Sequence, residues 1–92
     1  MSLNENQLEV LRIAQEEAAE VIQAVSKVFR FGMDGTHPDR KETNGEHLEE
    51  ELGDMLAMID ILMETGVASW KTVNAAKRRK FEKLKRWSNI VV

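Results

Sequence analysis

Leu8, Leu11, Ala14, Ala18, Val21, Ile22, Val25, Val28 and Phe29 recur at helical spacing along one stretch that no proline interrupts. This pattern predicts a single amphipathic helix over about residues 4–31, closed by Gly32. Either Ser2 with Glu5 or Asn4 with Gln7 supplies a capping box at its start. A helix of about 28 residues is roughly 42 Å long at 1.5 Å per residue. The rest of a 92-residue chain cannot cover an apolar stripe of that length. The stripe therefore calls for a second subunit, in a homodimer or homotetramer completed as a helix bundle.

The remaining sequence continues the all-α pattern. The segment "GMDGTHPDRKETNG", residues 32–45, is polar and holds three of the five glycines and the only proline, Pro38, so it reads as a loop. A loop of this length in a compact chain is often functional or mobile. A second helix is expected over 46–65, with Leu48, Leu52, Met55, Leu56, Ile59, Leu62 and Met63 inward and Gly66 as its stop. A third runs over about 69–87 from Ser69 as N-cap. The expected fold is an antiparallel hairpin of the first two helices with the third across it, one domain over residues 1–92.

Composition removes several classes of chemistry. With no cysteine there is no disulfide, thiolate zinc site or cysteine nucleophile. The start "MSLNENQLEVL" lacks the features of a signal peptide, and no apolar run approaches a membrane span. A cytoplasmic, membrane-free protein is the expectation. Charge is unevenly distributed: residues 1–66 carry fifteen acids against five bases, and residues 67–92 carry eight bases against Glu82 alone. The whole chain does not read as nucleic-acid binding, whereas an acidic region folded against a basic one suits a metal-bound polyphosphate.

The acids sort by direction on a wheel of 100° per residue. Glu9 and Glu16 face away from the apolar side of the first helix. Glu17 and Glu20 lie about 60° apart in a sector shared with Ile13 and Ala24. On the second helix, Glu46, Glu49 and Glu50 lie in the first turns, where the helix dipole favours acids. Glu51 and Asp54 are again about 60° apart, on a stripe that continues through Met58 and Ile61. Gly53 between them is expected to permit close backbone approach. In an antiparallel hairpin the two acid pairs reach similar height.

Four carboxylates converging in a low-dielectric cleft need a cation. Oxygen donors alone select Mg²⁺, Mn²⁺ or Ca²⁺, and neither His37 nor His47 has the i, i+4 partner of a zinc-binding helix. Mg²⁺ fits best, because it retains waters and binds through carboxylates together with substrate phosphates. On the third helix Lys77 stands in the middle of the apolar stripe of Trp70, Val73, Phe81, Leu84 and Trp87, flanked by Asn74 and Lys80. Such a lysine either snorkels to the edge or reaches metal-bound phosphates. Arg78, Arg79, Lys83, Lys85 and Arg86 form a solvated face.

"EEAAE" at 16–20 followed by "ELGD" at 51–54 resembles the EExxE…ExxD signature of the all-α nucleoside triphosphate pyrophosphohydrolases, the MazG-like group. That superfamily includes dimeric dUTPases and phosphoribosyl-ATP pyrophosphohydrolase. "NAAKRRKF" is similar to the Asn/Lys-bearing segment that those proteins bring to phosphates, and the resemblance spans about residues 8–87. It implies that Glu17, Glu20, Glu51 and Asp54 ligate Mg²⁺, with Mn²⁺ as a substitute, and serve catalysis. Glu16 matches the first Glu of the motif but points outward. The implied reaction converts a nucleoside triphosphate to the monophosphate and pyrophosphate, as in housecleaning of nucleotide pools. Lys77, Asn74 and Lys80 would contact the phosphates. The gap between Glu20 and Glu51 is slightly longer than usual for the family; it bears on substrate choice, because the extra length falls in the loop. A specialised relative would share the metal site and differ in its base contacts, for which the 32–45 loop and a second subunit's apolar residues are candidates. A non-catalytic module would instead bind nucleic acid through the third helix without Mg²⁺, and a bare cation-binding bundle would show no turnover.

Overall fold

In the computed structural model, which describes residues 2–91, the chain forms three helices: α1, Glu5–Phe31; α2, Asn44–Glu64; and α3, Trp70–Trp87. The all-α expectation holds, and among the described residues no helix is long and apolar enough to cross a membrane.

Each helix start has a local cause. Asn4 accepts from the Gln7 backbone N–H while the Gln7 side chain accepts from that of Asn4, so the second of the two possible boxes caps α1. α2 begins at Asn44, two residues earlier than expected, because Thr43 and Glu46 form another capping box. That T-x-x-E pattern stands in the sequence. Ser69 caps α3 as expected. At the end of α2, Gly66 takes φ +81°, and the Val67 N–H donates to the Leu62 carbonyl at 3.0 Å. Only glycine adopts that conformation without steric cost, so Gly66 stops the helix and sets the direction of the exit.

α1 and α2 pack together along their length, and Gln7 donates to the Thr65 carbonyl at 2.9 Å to join their far ends. The contact is made by Val10, Ala14 and Ala24 of α1 and by Met58 and Met63 of α2, with Ile61 and Leu62 against them. Both inward faces are rotated by about 70° from the expected centres. Val25 is 36% exposed, Ile22 67%, Leu52 44% and Leu56 63%. Each apolar stripe is wider than one neighbour covers, so pairing the helices buries one half and leaves the other open. The rotation turns the Glu51–Asp54–Met58–Ile61 stripe toward α1.

α3 does not lie across the hairpin. It has no fully buried residue and no extensive packing with α1 or α2. The chain measures 45 × 37 × 14 Å. A 27-residue α1 accounts for the long axis and two packed helices for only about 20 Å of width; α3 projecting sideways supplies the rest. A depth of 14 Å leaves no room for a further layer of helices over the hairpin.

Candidate metal centre

Glu17 on α1 and Glu51 and Asp54 on α2 each bring a carboxylate oxygen to within 4.8 Å of the other two. Local sequence explains the meeting. Ala14 is 7% exposed and Ala24 0%; these small residues on either side of Glu17 let α2 approach. On α2, Glu51 lies seven residues before Met58 and so shares its buried face. Glu51 is 8% exposed, Glu17 half-buried and Asp54 exposed. The trio is therefore closed at the bottom and open at the top.

The electrostatics favour a cation. Among the described residues no lysine or arginine pairs with any of the three. Loss of solvation, and then the charges of Asp54, Glu51, Glu20 and Glu16, hold the Glu17 carboxyl above its ordinary value of 4.5. A site built only of carboxylate oxygens with unbalanced charge fits a hard divalent ion and not zinc.

The other expected residues are less uniformly placed. Glu20 is exposed and outside the trio, although its charge acts on Glu17. Glu16 is exposed, in keeping with its outward direction. Lys77, Asn74 and Lys80 are exposed on α3, and no ion pair among the described residues joins α3 to the hairpin. Gly53 meets nothing within 4 Å of where a Cβ would stand, so close backbone approach is not its role here. A hollow of about 690 Å³ lies against Arg78, Arg79, Phe81 and Arg86 of α3 alone, away from the carboxylates.

His47 does have an i+4 neighbour, and it is Glu51. Its Nε2 is 3.8 Å from Glu51 Oε1, and its Nδ1 is 3.7 Å from Glu42 Oε1. These separations are within ion-pair range and beyond hydrogen-bond distance. Glu42, His47 and Glu50 also form a second acid–imidazole group beside the trio. The i, i+4 spacing of His47 and Glu51 was the available signal.

With the geometry in place, comparison with known proteins gives one match: the family model described as MazG nucleotide pyrophosphohydrolase domain aligns with residues 5–89. Neither the curated proteins nor the solved structures contain a significant match.

Proposed function

Since the chain belongs to the MazG nucleotide pyrophosphohydrolase domain family, a family of metal-dependent hydrolases, we propose that it hydrolyses a nucleoside triphosphate to the monophosphate and pyrophosphate in a Mg²⁺-dependent reaction. The observation that carries this reading is the convergence of Glu17, Glu51 and Asp54. These three residues hold the metal, and Mn²⁺ substitutes for it. When bound, Mg²⁺ supplies polarisation of the α-phosphate and a lowered pKa for coordinated water. Glu51, fixed by burial, sets the position of the site. Glu20, one turn from Glu17 and outside the trio, is the carboxylate available to orient the attacking water or accept its proton.

The phosphates need positive charge, and among the described residues no lysine or arginine of the hairpin pairs with the trio. Lys77 and Lys80 provide it as charge develops on the departing pyrophosphate, and Asn74 donates a hydrogen bond. Because α3 projects from its own hairpin, these residues act at the site of a neighbouring copy in a homodimer or homotetramer. Support for assembly comes from α3, which has no buried residue within the single chain, since an amphipathic helix needs a surface to pack against. Leu8, Ile22 and Phe29 of α1, Leu52 and Leu56 of α2, and Trp70, Phe81 and Trp87 of α3 are exposed apolar side chains available to such an interface. Housecleaning of a cytoplasmic nucleotide pool is the role that follows, with one domain per chain.

The test is product analysis with Mg²⁺ and a panel of ribo- and deoxynucleoside triphosphates, beside the Glu51→Gln variant. Monophosphate and pyrophosphate from the wild type, lost in a variant of unchanged helical content, is the expected result. Undiminished turnover in Glu51→Gln overturns the site assignment.

A further inference from the structure

At the loop end of the hairpin, Lys27, Phe31, Thr36, His37, Pro38 and Asn44 line a cavity of about 130 Å³. Glu20, Lys27 and Phe31 share one flank of α1 at helical spacing, the flank bordering the carboxylate trio. Lys27 lies about 10 Å along the helix from Glu20. The cavity and the trio are thus two stations along one side of the hairpin.

The loop bordering the cavity is fastened to the helix ends. Thr36 and Thr43 form an antiparallel bridge, the Asn44 N–H donates to the Gly35 carbonyl at 2.8 Å, and the Gly45 N–H donates to the Met33 carbonyl at 2.9 Å. A Cβ on Gly35 would stand 2.6 Å from the Phe31 carbonyl oxygen, so only glycine allows this approach. The fastening also fixes the polarity of the lining. The Asn44 side-chain amide donates to the Gly32 carbonyl at 3.1 Å, leaving its Oδ1 as an acceptor without a partner among the described residues. His37 Nδ1 accepts from the Asp39 N–H at 3.1 Å, so the neutral ring carries its proton on Nε2 as a donor. Phe31 is 61% exposed, and the Arg30 guanidinium sits 5.0 Å from its ring centroid. Lys27 is half-buried, and no ion pair among the described residues uses it.

One aromatic side chain, one acceptor, one donor and one ammonium among the lining residues suit a flat heteroaromatic ring with donors and acceptors on its edge. The volume is well below the roughly 300–1,000 Å³ of pockets that hold a whole ligand. It accommodates a ring while the phosphates stay outside. We propose that this cavity is the nucleobase subsite of the nucleotide whose phosphates would meet the metal ion held by the carboxylate trio. The proposal rests on the pyrophosphohydrolase reading and adds to it the residues that select the base: Phe31 by stacking, His37 and Asn44 by edge hydrogen bonds, and Lys27 toward the sugar–phosphate side.

The test separates base from phosphate. Phe31→Ala and His37→Ala are assayed with the best substrate of the panel, with inorganic tripolyphosphate as a base-free inhibitor and Mn²⁺ affinity measured by calorimetry. For Phe31→Ala, KM rises by roughly 5- to 150-fold, the loss expected when a base-stacking aromatic is removed. For both variants tripolyphosphate inhibition and Mn²⁺ affinity are unchanged. An unaltered KM, or tripolyphosphate inhibition weakened in parallel, overturns the proposal. A second measurement uses wild-type protein with Mg²⁺ and α,β-methylene analogues of ATP, GTP, CTP and UTP, following the imidazole resonances of the two histidines and the Asn44 side-chain amide. His37 and Asn44 shift with at least one nucleotide and not with tripolyphosphate. Equal shifts with both, or none with any, refute the subsite. Absence of wild-type turnover would instead count against the enzymatic reading, and the resonances would still report base binding.

Discussion

Truncation of Leu56 to alanine tests whether the open flank of the hairpin is an interface. Leu56 is 63% exposed and Met58, two residues on, is 8% exposed. The two share a helix but not an environment. Burying a leucine side chain completely is worth about 1.5–3 kcal/mol. With about a third of Leu56 covered, its loss costs an isolated chain about 0.5–1 kcal/mol. If a second copy covers the remainder, about 1–2 kcal/mol is lost per copy. A two-fold interface counts that loss twice, so the dissociation constant rises roughly 30- to 700-fold. Met58→Ala instead removes a side chain packed inside the hairpin and costs about 2–5 kcal/mol of folding stability. Sedimentation equilibrium, with thermal unfolding over a range of protein concentrations, distinguishes the two effects. A wild type that stays monomeric at all concentrations refutes the reasoning. So does a Leu56→Ala variant whose dissociation constant moves less than twofold.

Two further outcomes follow from the charges. The Glu17 carboxyl is held above 4.5 by burial and by its acidic neighbours, so the folded metal-free protein keeps a proton there that the unfolded chain has released. Its contribution to stability is therefore greatest below pH 4.5 and declines as pH rises through the raised value. Glu46 behaves oppositely. Hydrogen bonds from Thr43 hold it below 4.5, and its contribution, present above that pH, is lost as pH falls through the depressed value. Urea unfolding across this range should show the Glu17 decline flattened in Glu17→Gln; a decline that persists unchanged assigns it elsewhere. Mixed oligomers of Lys77→Ala and Glu51→Gln, purified through two different tags, should recover about half the wild-type activity if each site joins one copy's carboxylates to another's α3. No recovery above the separate inactive variants excludes that arrangement.

Much of the candidate site was legible because helical spacing converts sequence position into direction. Glu51 and Asp54 on a stripe ending in Met58 and Ile61 could be recognised as acids that share an apolar face. Glu17 followed by the same argument. Glu20 was grouped with Glu17 because 60° on a wheel separates neighbours too coarsely to distinguish a residue inside the helix–helix contact from one at its rim. His47 was set aside for want of a zinc-type partner, although Glu51 stands four residues on; only its second neighbour, Glu42, depends on where the loop runs.

Periodicity, the single proline, the capping residues and Gly66 by themselves determined three helices, their approximate ends and a set of four acids, three of which converge. These are local properties, set by hydrogen bonds and side chains a few residues apart. The tertiary structure decided which half of each apolar stripe faces the neighbouring helix, that α3 leaves the hairpin instead of crossing it, and that the loop closes around a cavity beside the carboxylates. A stripe wider than one neighbour can cover is satisfied equally well by several rotations. Pairing α1 with α2 selects the one in which small alanines and flexible methionines let the backbones approach and Glu17 meet Glu51.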